Sequence, residues 1–542
     1  MRLSRVFGIS PEYAAQLERA NVRTLQDLAN ITNLAGFSVQ SHAPLDLLEQ
    51  WRASAEVQVA ATRRRRKAIS VLGVVTAVLL GTIAVWSSRL YSAVAHYNRG
   101  NALSEKGKYD TAISEYEKSI GIRSNYARVH NNLCIALRHK GDYDDAIAEC
   151  QKALALKPDY AEAHYNLGIL LSEKGDYAAA IAAYQKALAL KPDYAEAHYN
   201  LGNALDDKGD YDAAIAEYRK ALALKPDAVG AHDNLGIVLH RKGDYDAAIA
   251  EYQKALALKP DDAGTHNNLG LALDEKGQND AAIDEFRKAL ILKPDSAYIQ
   301  AYIHDNLGIA LQNKGQYDAA IAEHRKALAL KPDDAEVHYN LGNTLRHKGD
   351  YDAAIAECQK ALALKPGFAD AHNMLGIVLR QKGDYDDAIA EYRKALALDD
   401  FAQAHNNLGN VLVQKGHYDD AIAEYRKALA LDDDFAQAHY NLGNVLVQKG
   451  HYDDAIAEYR KALALDDDFA EAHSNLGGAL VQKGHYDDAI AEYRKALALD
   501  DDFAEAHYNL GGALLHAGRR QEAEREFQQA HRLNPSLNPP QN

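Results

Sequence analysis

Apolar and small residues recur along most of this chain in two short helical stripes separated by polar breaks, and the pair of stripes repeats. Around Gly202 the first stripe runs through Ala197, Leu201, Gly202 and Leu205, the spacing of one helix face. Gly209 and Asp210 interrupt it, and residues 211–224 (YDAAIAEYRKALAL) carry a second stripe through Ala214, Ile215, Tyr218, Ala221 and Leu222. Pro226 stops that stripe, because proline has no amide hydrogen and restricts the residue before it. The pattern predicts a hairpin of two short antiparallel helices. Its glycine returns every 34 residues at Gly168, Gly202, Gly236 and Gly270, then at Gly342 and Gly376, and on to Gly443, Gly477 and Gly511. Counting imperfect copies, thirteen units run from about residue 93 to residue 535. Such a period predicts a solenoid, in which each unit buries its apolar face only against its neighbours.

The repeat overrides the three or four globular domains that 542 residues would otherwise suggest. Leu and Ala fill the units and the β-branched alternation of a sheet is missing, so the predicted fold is all-α. Glycine inside a helix costs about 1 kcal/mol relative to alanine, so its return needs a packing reason. Only Cys134 replaces it, and an alanine follows twelve residues later in every unit (Ala180, Ala214, Ala248). The expectation is a Gly-to-Ala contact that lets two backbones approach. Three cysteines (Cys134, Cys150, Cys358) are too few for a disulfide framework or a zinc module. Cys134 and Cys150 should nonetheless face the interior of one hairpin, where close approach permits a bridge.

One apolar segment stands apart, residues 68–86 (AISVLGVVTAVLLGTIAVW), with no charge between Lys67 and Arg89. Its length suits one bilayer crossing, and it follows the basic run 63–67 and precedes Trp86 and Tyr91. The sequence therefore predicts a single-pass transmembrane helix over 68–88 in the cell membrane. A small helical domain (1–60) and a basic juxtamembrane stretch (61–67) precede it, and a repeat array (91–535) and a disordered tail (536–542) follow. The basic run places the amino terminus in the cytoplasm and the array outside it. Gly73, Ala77 and Gly81 recur every four residues, an arrangement that lets membrane helices pair. The net charge of −16 splits into +4 over residues 1–67 and −20 beyond, and so acidic an array argues against nucleic acid as a partner.

At Leu167, Gly168, Leu171, Gly175, Tyr177, Ala180, Tyr184, Ala187 and Pro192 the spacing resembles the tetratricopeptide repeat, TPR. That resemblance implies a right-handed superhelix whose first helices line a concave groove for peptides or partner proteins. Where the family often has Trp, this chain has His in all thirteen units, from His96 to His507. Successive units hold these His too far apart to share an ion, so they read as neutral side chains packed between hairpins and no metal is expected. Asn stands two residues before the glycine in twelve units: Asn98, Asn132, Asn166, Asn200, Asn234, Asn268, Asn306, Asn340, Asn407, Asn441, Asn475 and Asn509, with Met374 the exception. The resemblance points these carboxamides into the groove, where they would pair with a peptide backbone; the alternative is that they bridge adjacent helices. The preceding position varies and includes Tyr165, Tyr199, Tyr339, Tyr440 and Tyr508, which makes it the place for selectivity. It holds no Lys or Arg, so a receptor for chaperone tails is disfavoured.

Two breaks punctuate the array. Gly270 to Gly308 spans 38 residues, enough for one added helical turn. Gly376 to Gly409 spans 33, and later joints carry acidic triplets such as 432–434, which read as solvated joints and helix caps rather than calcium loops. At the amino terminus, Pro11, Thr24 and Pro44 mark three helix starts, and the string FGISPEYAAQLERANVRTLQDLA resembles helix-hairpin-helix modules without their glycine-rich hairpin. No phosphate loop, nucleophile elbow or zinc helix is present, so neither an enzyme nor a cofactor is expected. The functional expectation is a membrane-anchored scaffold that binds proteins. The alternative is a docking or regulatory subunit of an enzyme such as a protein glycosyltransferase.

Overall fold

The computed structural model describes residues 11–32, 38, 44–64, 72–292, 294 and 296–538. The elements among them are α-helices, grouped in two units, Met1–Pro260 and Asp261–Asn542. The first unit opens with α1 (Pro11–Arg19), α2 (Leu25–Ala29), α3 (Leu45–Arg64) and α4 (Leu72–Ser104). A capping box starts α2: the Asp27 amide donates to Thr24 Oγ1 at 3.2 Å and the Thr24 amide to Asp27 Oδ2 at 2.8 Å. Leu17, Leu28, Leu48 and Trp51 close a small core between these helices.

The predicted membrane anchor is not supported. Among the described residues no helix is long and apolar enough to cross a membrane. The helix that carries residues 72–88 does not stop with the apolar run but continues to Ser104, the first helix of the first hairpin. Ile83 and Leu90 pack against the Leu17–Trp51 core, whereas Val85 and Trp86 are exposed. The preceding transmembrane helix, the single-pass localisation and the sidedness derived from it are therefore corrected. Residues 65–71 and the side chains of Gly73 and Ala77 lie outside the described residues. The pairing predicted for Gly73, Ala77 and Gly81 loses its lipid-based argument.

The hairpins themselves follow the sequence pattern. Ala195–Asp207 and Tyr211–Leu224 are the two helices of the unit around Gly202. Gly209 takes φ +84° at the turn, a conformation glycine adopts without steric cost. Asp210 then caps the second helix, its side chain accepting from the Ala213 amide. The 38-residue spacing is absorbed as predicted: Ala297–Asn313 has 17 residues where Ala195–Asp207 has 13. The acidic triplets differ from expectation. Asp432 ends the preceding helix and accepts from the Asp434 amide at 3.2 Å, whereas Phe435 stands at the next amino terminus with no side-chain cap bond. An Asx turn needs the first carboxylate of the run, not the last.

The recurrent glycine meets an aromatic ring. A Cβ built on Gly168 would lie 2.5 Å from Tyr184 Cε1, and one on Gly443 2.6 Å from Tyr459 Cε1. Tyr184 and Tyr459 are each 1 % exposed, so these rings have nowhere to move. The expected Gly-to-Ala contact is thus second to a Gly-to-Tyr lock sixteen residues away. Alanine twelve residues on, such as Ala180, is fully buried beside it. Burial also pushes the Tyr184 hydroxyl up to about 12. Where Cys358 stands in place of the tyrosine, a Cβ built on Gly342 would lie 3.0 Å from its Sγ and 3.4 Å from the Ala354 carbonyl.

Cys134 and Cys150 replace both partners of the lock and are joined by a disulfide, with Cα atoms 5.4 Å apart. Cys358 is free and buried, its thiol pushed by burial up to about 12. Alkylation of the denatured, unreduced chain followed by mass spectrometry is expected to label Cys358 alone. Labelling of all three thiols would disprove the bridge. Reduction should cost the second hairpin about 3 kcal/mol, the loop-closure scale for such a span.

Candidate functional site

The first helices carry three registers of polar groups, and each has a different partner. The histidines pair across their own hairpins. All but His164 reach the second helix, where a glutamate nineteen residues on accepts from Nδ1: His130 to Glu149 at 2.6 Å, His232 to Glu251 at 2.6 Å, His473 to Glu492 at 2.6 Å. The other ring nitrogen donates to a backbone carbonyl six residues back, as His130 Nε2 does to Ser124 at 3.0 Å and His232 Nε2 to Pro226 at 3.0 Å. At His130 both acceptors lack a proton, so that ring donates from both nitrogens. The bond from Glu149 holds His130 above its ordinary value. Burial raises Glu149, but the bonds from His130 and Lys152 outweigh it and leave the carboxyl below its ordinary range. In the first hairpin Lys118 and His96 hold Glu115 down to about 2.

This pairing was legible in the sequence and missed: glutamate follows each histidine by nineteen residues except where Ala183 stands. There His164 keeps only its bond from Nε2 to the Pro158 carbonyl at 3.0 Å. For His130 the neutral-histidine expectation is corrected, because the register of the two helices brings the Glu149 carboxylate to its ring.

The asparagines connect successive repeats. Asn200 Nδ2 donates to Tyr165 Oη at 2.9 Å, Asn234 Nδ2 to Tyr199 Oη at 3.0 Å, and Asn475 Nδ2 to Tyr440 Oη at 3.0 Å. Where the variable position lacks tyrosine, the same nitrogen finds another acceptor: Asn166 on Asn131, Asn306 on Asn267, Asn340 on Asp305, Asn407 on Asn373, and Asn441 on Asn406. Asn132 binds both Tyr97 and Asn101. Asn98 and Asn509, at the two ends of the array, are exposed, and Asn268 is half-buried. Tyr339 sits where Met374 replaces the reaching asparagine, and its ring packs 5.3 Å from Phe368. Tyr165 and Tyr440 likewise pack against Tyr194 and Phe469 at 4.7 and 4.6 Å, and Tyr508 meets Phe527 at 5.4 Å. All five predicted tyrosines are half-buried.

The lengthened helix breaks the pattern most. Its added turn carries Tyr298 and Tyr302, 63 % and 49 % exposed. A cavity of about 350 Å³ lies among Tyr298, Tyr302, Asp305, Lys331 and Lys365, with Lys331 Nζ 4.8 Å above the Tyr298 ring. Beneath it His324 takes the tyrosine position of the lock, fully buried, and its Nδ1 donates to Asp305 Oδ1 at 2.7 Å.

No curated protein sequence matches the chain. Several solved structures are similar. Yeast Tom70 aligns over 82 % of this chain and 98 % of its own at 18 % identity, with a TM-score of 0.40. The Cut9–Hcn1 hetero-tetramer of the APC/C aligns over 80 % and 92 % at 19 % identity, TM-score 0.39. MamA aligns over 30 % and 95 % at 31 % identity, TM-score 0.29. Family models are more direct. A TPR repeat model matches 100–137, 238–277, 376–416, 409–450, 443–484 and 477–518. Tetratricopeptide repeat models match 125–193, 165–229, 263–296, 306–368, 357–390 and 504–537. These matches begin at residue 100, so none supports the helix-hairpin-helix resemblance of the amino-terminal segment. With hairpin after hairpin matched along the array, the chain belongs to the tetratricopeptide repeat family, whose repeats are protein-binding scaffolds.

Proposed function

We propose that this protein is a non-catalytic scaffold that binds segments of partner proteins along the face formed by the first helices of its repeats. The observation that carries the reading is the contrast between a uniform framework and one varied register. The helix-contact glycine and the His–Glu pairs repeat almost unchanged, while the position before each Asn changes from Tyr to Asn, Asp or Ser and stays partly accessible at Tyr165, Tyr199, Tyr339, Tyr440 and Tyr508. Half-buried tyrosines offer a broad contact surface with little side-chain entropy to lose. The asparagine nitrogens are already engaged with the neighbouring repeat, so what Asn200 or Asn475 offers a bound peptide is its oxygen, an acceptor for a backbone amide.

Photo-crosslinking amino acids placed at Tyr199 and Tyr440 in the full chain are expected to capture proteins in cells. The same group at Arg426, exposed on a second helix, is expected to capture few. Equal capture from both faces would sink the proposal.

A further inference from the structure

Four residues past each helix-contact glycine the first helices carry a position that meets the adjoining repeat. Asn313 Nδ2 donates to Asp274 Oδ2 at 3.1 Å, and in the first unit Arg241 Nη1 donates to Asp206 Oδ1 at 2.6 Å. This position and the one after it therefore form a strip from repeat to repeat. Within Asp261–Asn542 the strip changes character along its length. It begins with Asp274 and Gln312, turns basic at Arg346 and Arg380, and becomes aliphatic at Val413, Val447, Val481 and Leu515.

The two arginines lack the carboxylates that arginines have elsewhere on the strip. Arg138 Nε lies 3.7 Å from Glu173 and Arg241 pairs with Asp206, each across a repeat boundary. The corresponding neighbours of Arg346 and Arg380 are Gln381 and Gln414. Among the described residues no ion pair reaches either guanidinium. Arg346 is half-buried and donates to Asn343 Oδ1 from Nε and Nη2 at 3.2 and 2.9 Å, and from Nη2 to His347 Nε2 at 2.6 Å. Arg380 Nε is buried with no hydrogen-bond partner. Burial works against the charged form of Arg346, and the nearby Arg380 adds to it. Two half-buried cations without an anion are costly to hold.

We infer that this strip is the seat of an extended acidic-aliphatic peptide segment of a partner protein. Its carboxylate pairs with Arg346 and Arg380, and its aliphatic side chains lie on Val413, Val447 and Val481. The inference rests on the protein-binding reading above and specifies its ligand. A guanidinium grips a planar carboxylate with two parallel bonds. Packed helices stand roughly 8–10 Å apart. A polyproline-type strand rises ~3.1 Å per residue and returns to the same face every third residue, so it presents one side chain about every 9 Å. One acidic residue followed by aliphatic residues at every third position therefore matches the strip repeat for repeat.

The test uses the full chain and fluorescein-labelled peptides of sequence Glu-Pro-Pro-Leu-Pro-Pro-Leu-Pro-Pro-Leu, with Gln or phosphoserine replacing Glu in two controls. Fluorescence anisotropy is expected to show the Glu peptide binding about tenfold or more tighter than the Gln peptide, the scale of a lost charge-assisted bond. The R346Q/R380Q double variant should abolish that preference without lowering its thermal melt. V447N should weaken both peptides alike. Equal binding of the Glu and Gln peptides, absence of binding, or a preference for phosphoserine over Glu would each overturn the assignment. If crosslinks from Tyr440 persist while the Glu preference is missing, the scaffold reading stands and this subsite falls.

Discussion

Lowering the pH from about 8 to about 5.5 is expected to raise the denaturation midpoint of the chain, not to lower it. His130 is held above 6.5, chiefly by its bond to Glu149, so the folded chain binds that proton more tightly than the unfolded chain. A raised pKa contributes stability that is fully present below the unfolded value and is lost as pH rises through the folded value. Glu149 works at the other end. Burial draws it up, but His130 and Lys152 hold it below 4.5, so its contribution is present above 4.5 and fades as pH falls through the folded value. Glu251, Glu357 and Glu492 shift in the same direction, each against its own burial and through its lysine and histidine. The two signs together place greatest stability between about pH 4.5 and 6.5. Urea melts at pH 8 and 5.5 read the effect directly. A Glu149→Gln change should remove most of the gain at pH 5.5. A wild-type midpoint that falls between pH 8 and 5.5 would mean that His130 folds neutral.

Replacing Gly477 by alanine should destabilise the chain by about 1 kcal/mol net, while the same change at Gly478 should leave it neutral or stabilise it by up to about 1 kcal/mol. Both lie inside the helix Ala470–Gln482, so both gain the helical preference of alanine over glycine. They differ only in what the new methyl meets. At Gly477 it would stand 2.9 Å from Tyr493 Cε1, and Tyr493 is 2 % exposed and fixed. At Gly478 the nearest atom is the Tyr493 hydroxyl at 3.7 Å, an ordinary contact. Overpacking of a closed interior typically costs 1–3 kcal/mol, which exceeds the propensity gain. Chemical denaturation of the two variants checks the difference, and equal midpoints would show that the ring yields.

The sequence by itself determined the hairpins. Stripes of Ala and Leu at helical spacing, the glycine turn at Gly209 and the stop at Pro226 act within a few residues, so the ends of Ala195–Asp207 and Tyr211–Leu224 needed no knowledge of the fold. The added turn after Gly270 was legible for the same reason, since four residues make one helical turn in any context. The tertiary structure alone decided what those helices touch. Gly168 was known to need a close neighbour, but alanine twelve residues on and tyrosine sixteen residues on lie on the same face of the second helix, and only packing places the Tyr184 ring on the glycine. The charge of His130 turned on a carboxylate nineteen residues away, across the hairpin, and the donor bond of Asn200 on a tyrosine hydroxyl in the preceding repeat. Ile83 illustrates the limit: the hydropathy of its segment is read locally, whereas its packing depends on Leu17, Leu48 and Trp51, which come from elsewhere in the chain.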